Sequence, residues 1–173
     1  MAFRWLAVPL MGACFLVSTA RADIYTFGVV LDGFQEIPPN TSTGTGDAEL
    51  TLDTSSGYVN IATNGGFYQD LIGNSSAVSI NGPAGYGTNA AILLVLTLAS
   101  PGTQSGTFSG NGTLSMANVT AMINTDTYIN IRSNVYPSGE IRGQIVYFVP
   151  EPTSAALVCL GLSGLLIFRR RRR

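Results

Sequence analysis

The sequence has no histidine and no lysine, and only 11% of its residues are charged. Without histidine, the commonest acid/base group at neutral pH and the commonest imidazole metal ligand are both missing. A serine or cysteine nucleophile then has no imidazole to activate it. The two cysteines, Cys14 and Cys159, each fall inside an apolar end segment. The region between them carries neither a disulfide framework nor a thiolate nucleophile. Basic residues are scarce there too. From residue 23 to residue 150, nine acids face only Arg132 and Arg142, a net charge of −7; the whole chain carries −1 because the other arginines sit at its ends. An acidic domain without a basic patch argues against nucleic acid or an anionic membrane as a partner. At 173 residues the chain has room for one domain, large enough to bury a core without disulfides.

Both ends read as addresses. Residues 1–22 hold Arg4, an apolar run over 5–17 broken by Pro9 and Gly12, and then Ala20-Arg21-Ala22. Ala20 and Ala22 fill both small-residue positions of a signal-peptidase site. The run is shorter than the ~20 apolar residues a membrane span needs, so cleavage is expected rather than permanent anchoring. At the other end Pro150-Glu151-Pro152 precedes Thr153 and Ser154, an apolar stretch over 155–168, and Arg169, Arg170, Arg171 and two further arginines. As a helix that stretch would reach about 21 Å at ~1.5 Å per residue, short of the ~30 Å hydrocarbon layer. The arginines would stay cytoplasmic, which puts the domain outside, as the signal peptide does. With its triplet, short apolar helix and terminal arginines, segment 149–173 resembles the PEP-CTERM sorting signal of Gram-negative bacteria. The resemblance implies handling by an exosortase, a membrane-embedded cysteine-type transpeptidase, and transfer or release to the envelope, often in organisms that make extracellular polysaccharide. A plain tail anchor needs neither the triplet nor so short a helix.

Between these ends, residues 23–148 are rich in Gly, Thr, Ser and Asn, and their apolar residues alternate. That pattern predicts short antiparallel strands separated by turns. Tyr25 to Leu31 forms a first strand, stopped at Asp32-Gly33. Ala48, Leu50 and Leu52 alternate with Glu49, Thr51 and Asp53, and Tyr58 to Ala62 returns as the hairpin partner. Val78 and Ile80 make a short strand. The continuous apolar run from Ala90 to Leu98 predicts a central strand covered on both faces. Phe108 to Leu114 alternates again, Met116 to Ile123 suits a short helix over one end of the sheet, and Ile129, Ile131, Ile141 and Ile145 mark the last two strands. Seven or eight strands predict an antiparallel, Greek-key-like β-sandwich, flanked by a signal helix and a C-terminal hydrophobic helix.

Three stretches carry a second resemblance. The first is Leu31-Asp32-Gly33-Phe34-Gln35-Glu36-Ile37-Pro38-Pro39. The second is Ala77-Val78-Ser79-Ile80-Asn81-Gly82-Pro83. The third is Tyr128-Ile129-Asn130-Ile131-Arg132 with Gly139-Glu140-Ile141-Arg142-Gly143-Gln144-Ile145. In order and spacing they resemble the CHRD domain, the module named after chordin. The resemblance implies an extracellular binding or scaffold role and marks Gly33, Glu36, Pro38, Pro39, Gly82, Pro83, Gly139, Glu140, Arg142 and Gly143 as family-motif positions of structural use. The family usually places histidines where this chain has Ser79 or Ala77, Asn81 and Arg132. Serine and asparagine are poor metal ligands and arginine repels a cation, which disfavours a superoxide dismutase-like metal enzyme.

Glu140 and Arg142 lie two apart on a strand, share a face and suit a rim ion pair. Glu36, before the stiff Pro38-Pro39, suits a buried pair with Arg132 or Arg142. A glycosidase needs two opposed carboxylates, and nothing in the spacing selects Glu36 and Glu140 for that. Asp47, Glu49 and Asp53 do not follow a calcium-loop spacing. The sequence therefore predicts no catalytic residue, metal or cofactor. It predicts a non-enzymatic exported module, handled by signal peptidase and exosortase, held at the inner membrane by its tail, and facing extracellular polysaccharide or envelope proteins. A plain membrane-anchored coat protein is the further alternative.

Overall fold

A computed structural model describes residues 23–147. The signal and sorting residues (Ala20, Ala22, Pro150, Glu151, Pro152, Arg169, Arg170 and Arg171) and both end helices expected from them lie outside the described residues. The strands are β1 Ile24–Asp32, β2 Thr45–Asp53, β3 Tyr58–Gln69, β4 Ser75–Asn81, β5 Ile92–Leu98, β6 Gly106–Thr113, β7 Tyr128–Ser133, β8 Ile141–Gln144 and β9 Val146–Tyr147. One helix, α1 Met116–Ile123, and one 3-10 turn, Gly33–Gln35, complete the set. The helix has the bounds its sequence predicted. Ser115 caps it by accepting from the Asn118 amide at 3.4 Å, and Val119 and Met122 face the core.

The strands form one sheet in the order β2-β3-β6-β5-β4-β7-β8-β1-β9, and β1 pairs back onto β2 along its whole length, from Ile24↔Asp53 to Asp32↔Thr45. Every pairing is antiparallel. The result is a closed barrel of eight strands with β9 alongside β1, not the two-layer sandwich expected. The closing seam lies between β8 and β1, where Asp32 pairs with Arg142. Gly143 permits that approach: a Cβ there would overlap the Val30 carbonyl oxygen and stand 2.6 Å from Val29 Cγ1. Closure leaves no long free edge. The connections from β3 to β4 and from β6 through α1 to β7 skip neighbours, which gives the Greek-key order.

Alternation places Phe27, Leu31, Leu50, Leu52, Val59, Ile80, Ile129, Ile131 and Ile141 inside, each almost fully buried. Two strands differ from expectation. β5 is not covered on both faces, since Val95 is 69% exposed. A barrel strand has one inner face, and Val95 and Thr97 on the outer side of β5 are both exposed. β3 runs on past Ala62 to Gln69 through a bulge at 62–65, where its register shifts against both β2 and β6. The strand expected over Tyr58 to Ala62 thus continues, re-aimed by the bulge.

Candidate functional site

The outer face of β4, β7 and β8 carries a buried polar layer. Ser79, Asn130 and Arg142 lie side by side across these strands, and Asn81, Tyr128 and Gln144 form the adjacent row. All alternate with core residues and so point out of the barrel, yet all six are buried. The 82–91 connection folds over them. Arg142 is 1% exposed. Its Nη1 donates to the Thr88 carbonyl at 2.8 Å and to Asn89 Oδ1 at 3.2 Å. Its Nη2 donates to the Gly85 carbonyl and to Gln144 Oε1, both at 3.4 Å. The guanidinium also lies 3.4 Å from the Tyr128 ring centroid, a desolvated cation–π contact. Burial pulls the Arg142 pKa down, while Tyr128 and Glu36 oppose that shift.

Its neighbours fasten the same loop. Gln144 Nε2 donates to the carbonyls of Ala84 at 2.9 Å and Thr125 at 2.6 Å. Tyr128 Oη accepts from the Ala90 amide at 3.0 Å, and Asn81 Nδ2 donates to the Ala90 carbonyl at 3.1 Å. The loop takes its course from Gly82, whose amide donates to the Ala91 carbonyl at 3.0 Å, followed by cis Pro83. The segment after β1 joins it: Asn89 Nδ2 donates to the Ile37 carbonyl at 3.1 Å, next to cis Pro38 and Pro39.

Glu36 is 5% exposed, and its Oε1 has no hydrogen-bond partner. The expected pairing with Arg132 or Arg142 takes only a longer-range form. Both arginines favour the carboxylate through their charge, but the hydrogen bonds of Arg142 go to the 82–91 loop and Gln144. Burial outweighs that attraction and raises the Glu36 pKa from 4.5 to about 7. Asn130 Nδ2 donates to the Ser138 carbonyl at 3.1 Å, leaving its Oδ1 unpaired beside Gly139. A Cβ at Gly139 would overlap Glu36 Oε1 and stand 2.7 Å from both Asn130 side-chain polar atoms. Protonating Glu36 removes a buried charge and adds a donor in that place.

A stability effect follows. An acid whose pKa rises on folding holds its proton more tightly in the folded state between pH 4.5 and about 7. The fold therefore loses stability as pH rises through that window and stays lower above it. Glu36→Gln removes the slope, and the variant should be more stable than the parent by about 2 kcal/mol at pH 8. Denaturant unfolding of both proteins at pH 5 and pH 8 checks this; equal differences at the two pH values would refute it.

Glu140 does not form the rim pair with Arg142. It is fully buried at the other end of β8 and accepts from Ser42 Oγ at 2.7 Å, from the Gly73 amide at 3.1 Å and from the Ile72 amide. Gly33 sits nearby, where its carbonyl accepts from the Asn40 amide at 3.0 Å, and Asn40 Nδ2 reaches the Glu140 carbonyl at 2.9 Å. Sequence reasoning missed Tyr128, Asn130 and Gln144. Their alternation with isoleucines was visible, but it reads equally well as a solvated strand face.

The layer does not fit a metal ion. Ser79 Oγ donates to Asn81 Oδ1 at 2.7 Å, so the two side chains satisfy each other, and Arg132 and Arg142 add positive charge to the same face. Among the described residues, no three His, Cys, Asp or Glu side chains gather in a set able to hold a metal.

The family profile of the CHRD domain matches residues 27–145, and that of the PEP-CTERM protein-sorting motif matches residues 148–173. No curated protein and no solved structure gives a significant match. The first match begins at the inward-facing Phe27 of β1, ends at the buried Ile145 after β8, and takes in all eight barrel strands apart from the first three residues of β1, leaving out β9. It spans more than half of the chain, which therefore belongs to the CHRD domain family.

Proposed function

We propose that this is an exported envelope protein whose barrel is a non-catalytic binding or scaffold module, delivered by its tail. The sorting-motif match carries the reading: it begins at residue 148, directly after the last strand residue, Tyr147. Signal peptidase would cut after Ala22, and an exosortase would act near Pro150-Glu151-Pro152. Until that second cut the apolar segment 155–168 holds the protein at the inner membrane. The non-catalytic part rests on the polar layer, whose donors and acceptors are mostly spent on holding the 82–91 loop. Loops and the open outer faces of the strands remain for extracellular polysaccharide or envelope proteins.

Intact-mass measurement on fractions of the native host tests the reading. A species from Asp23 to near the Pro-Glu-Pro triplet, outside the inner membrane, is expected. A species still ending at Arg173 in the inner membrane would reduce the tail to a plain anchor.

A further inference from the structure

We infer that the end of the barrel from which the tail leaves rests on the lipid surface until the tail is cut; this depends on the sorting reading above. β1 starts at that end with Ile24 paired to Asp53, and the Asp23 carbonyl accepts from the Thr54 amide at 3.2 Å. β9 runs antiparallel to β1, with Tyr147 opposite Phe27, and so heads toward the same end. Both ends of the described residues, Asp23 and Tyr147, therefore lie at one end of the barrel. α1 crosses this end and lies beside β9.

Large apolar side chains project there. Ile24 is 69% exposed and Met116 51%, and Tyr58, Ile92, Ile123 and Tyr147 are each more than a third exposed. Met116 sits against the turn after β2, its Cε 3.3 Å from where a Gly57 Cβ would stand. Single exposed apolar residues are ordinary. What gives these a partner is the tether. Only residues 148–154 separate Tyr147 from the apolar stretch 155–168, and fully extended they reach about 25 Å. This end cannot leave the neighbourhood of the bilayer, so its local concentration there is high and weak interfacial insertion suffices. Asp23, Asp53 and Asp126 lie at the same end, and neither Arg132 nor Arg142 does. Attraction to anionic headgroups is therefore not the cause, and the surface suits a zwitterionic interface. Docking would hold the Pro-Glu-Pro triplet at headgroup depth; cutting there removes the tether and frees the barrel.

The test uses residues 23–173, which hold no tryptophan of their own, reconstituted in phosphatidylcholine vesicles, with tryptophan placed by Met116→Trp at this end or by Val135→Trp at the opposite end. Val135 is 50% exposed and so a matched control. Brominated phosphatidylcholine should quench the 116 probe several-fold more strongly than the 135 probe. Adding Ile24→Asp and Ile123→Asp should abolish the difference. Equal quenching of the two probes in chain that floats with the vesicles would overturn the docking alone. Chain that does not float would overturn the membrane reading of the tail, and the docking with it.

Discussion

Arg142→Met is expected to cost about 3–5 kcal/mol of folding stability. Methionine roughly fills the volume and keeps an apolar contact with Tyr128, so the loss isolates the guanidinium. Its removal leaves the carbonyls of Thr88 and Gly85, together with Asn89 Oδ1 and Gln144 Oε1, without their donor under a closed loop. Each buried acceptor left unpaired costs about 1–3 kcal/mol, partly recovered where the loop opens to water. Glu36 also loses a nearby positive charge and so becomes harder to ionise. Arg142→Lys should recover less than half of the loss. An ammonium keeps the charge but cannot serve four acceptors in a plane while lying flat on a ring. Urea unfolding of the three proteins checks this. A cost near zero for Arg142→Met would mean that the loop is held by Gln144, Asn81 and Tyr128 alone.

The same residue shows how far the sequence could be read. Period-two alternation at Ile129, Ile131 and Ile141 predicted strands, and the stretch Met116 to Ile123 suited a short helix, which is α1. Local chemistry suffices for such elements. Closure of the sheet was not legible, because it depends on a nine-residue pairing between β1 and β2 and on the β8–β1 seam at Gly143. Nothing within a strand states whether its far neighbour is an edge or a closing partner. The open face of β5 follows from the same fact: a continuous apolar run signals two covered faces only in a layered fold, and a barrel supplies one.

Of the candidate site the sequence singled out Arg142 but not Tyr128, Asn130 or Gln144, and no partners. Of the motif positions, Gly82 and cis Pro83 lie at the start of the 82–91 connection, Glu140 and Arg142 bond to loops, Gly143 lies at the β8–β1 seam, and Gly139 stands against Glu36, whose Oε1 is unpaired. Which group meets which was hidden by loops that fold back from far away in sequence. Glu140 and Arg142 share a strand face, yet the first serves the loops at one end and the second serves the 82–91 loop. Two charges two residues apart need not pair when each has closer buried obligations.

Glu140→Gln should therefore destabilise the barrel by about 2–3 kcal/mol, although it changes no volume. Glu140 Oε1 accepts from Ser42 Oγ and the Ile72 amide, and Oε2 accepts from the Gly73 amide. All three partners are donors: the Ser42 hydroxyl oxygen already accepts from the Gly44 amide at 3.0 Å, so its proton is directed at the carboxylate. Glutamine offers one acceptor oxygen. Whichever way its amide turns, an NH2 group faces an N–H or O–H donor, and a buried donor is left without an acceptor. Glu140 links the connections after β1, β3 and β7, so the damage should concentrate at that end. Hydrogen exchange at the Ile72 and Gly73 amides should speed up far more than at Tyr128 or Ile129, at the start of β7 and the other end of the barrel. Unchanged protection at Ile72 and Gly73 would show that the strands hold these loops without the carboxylate.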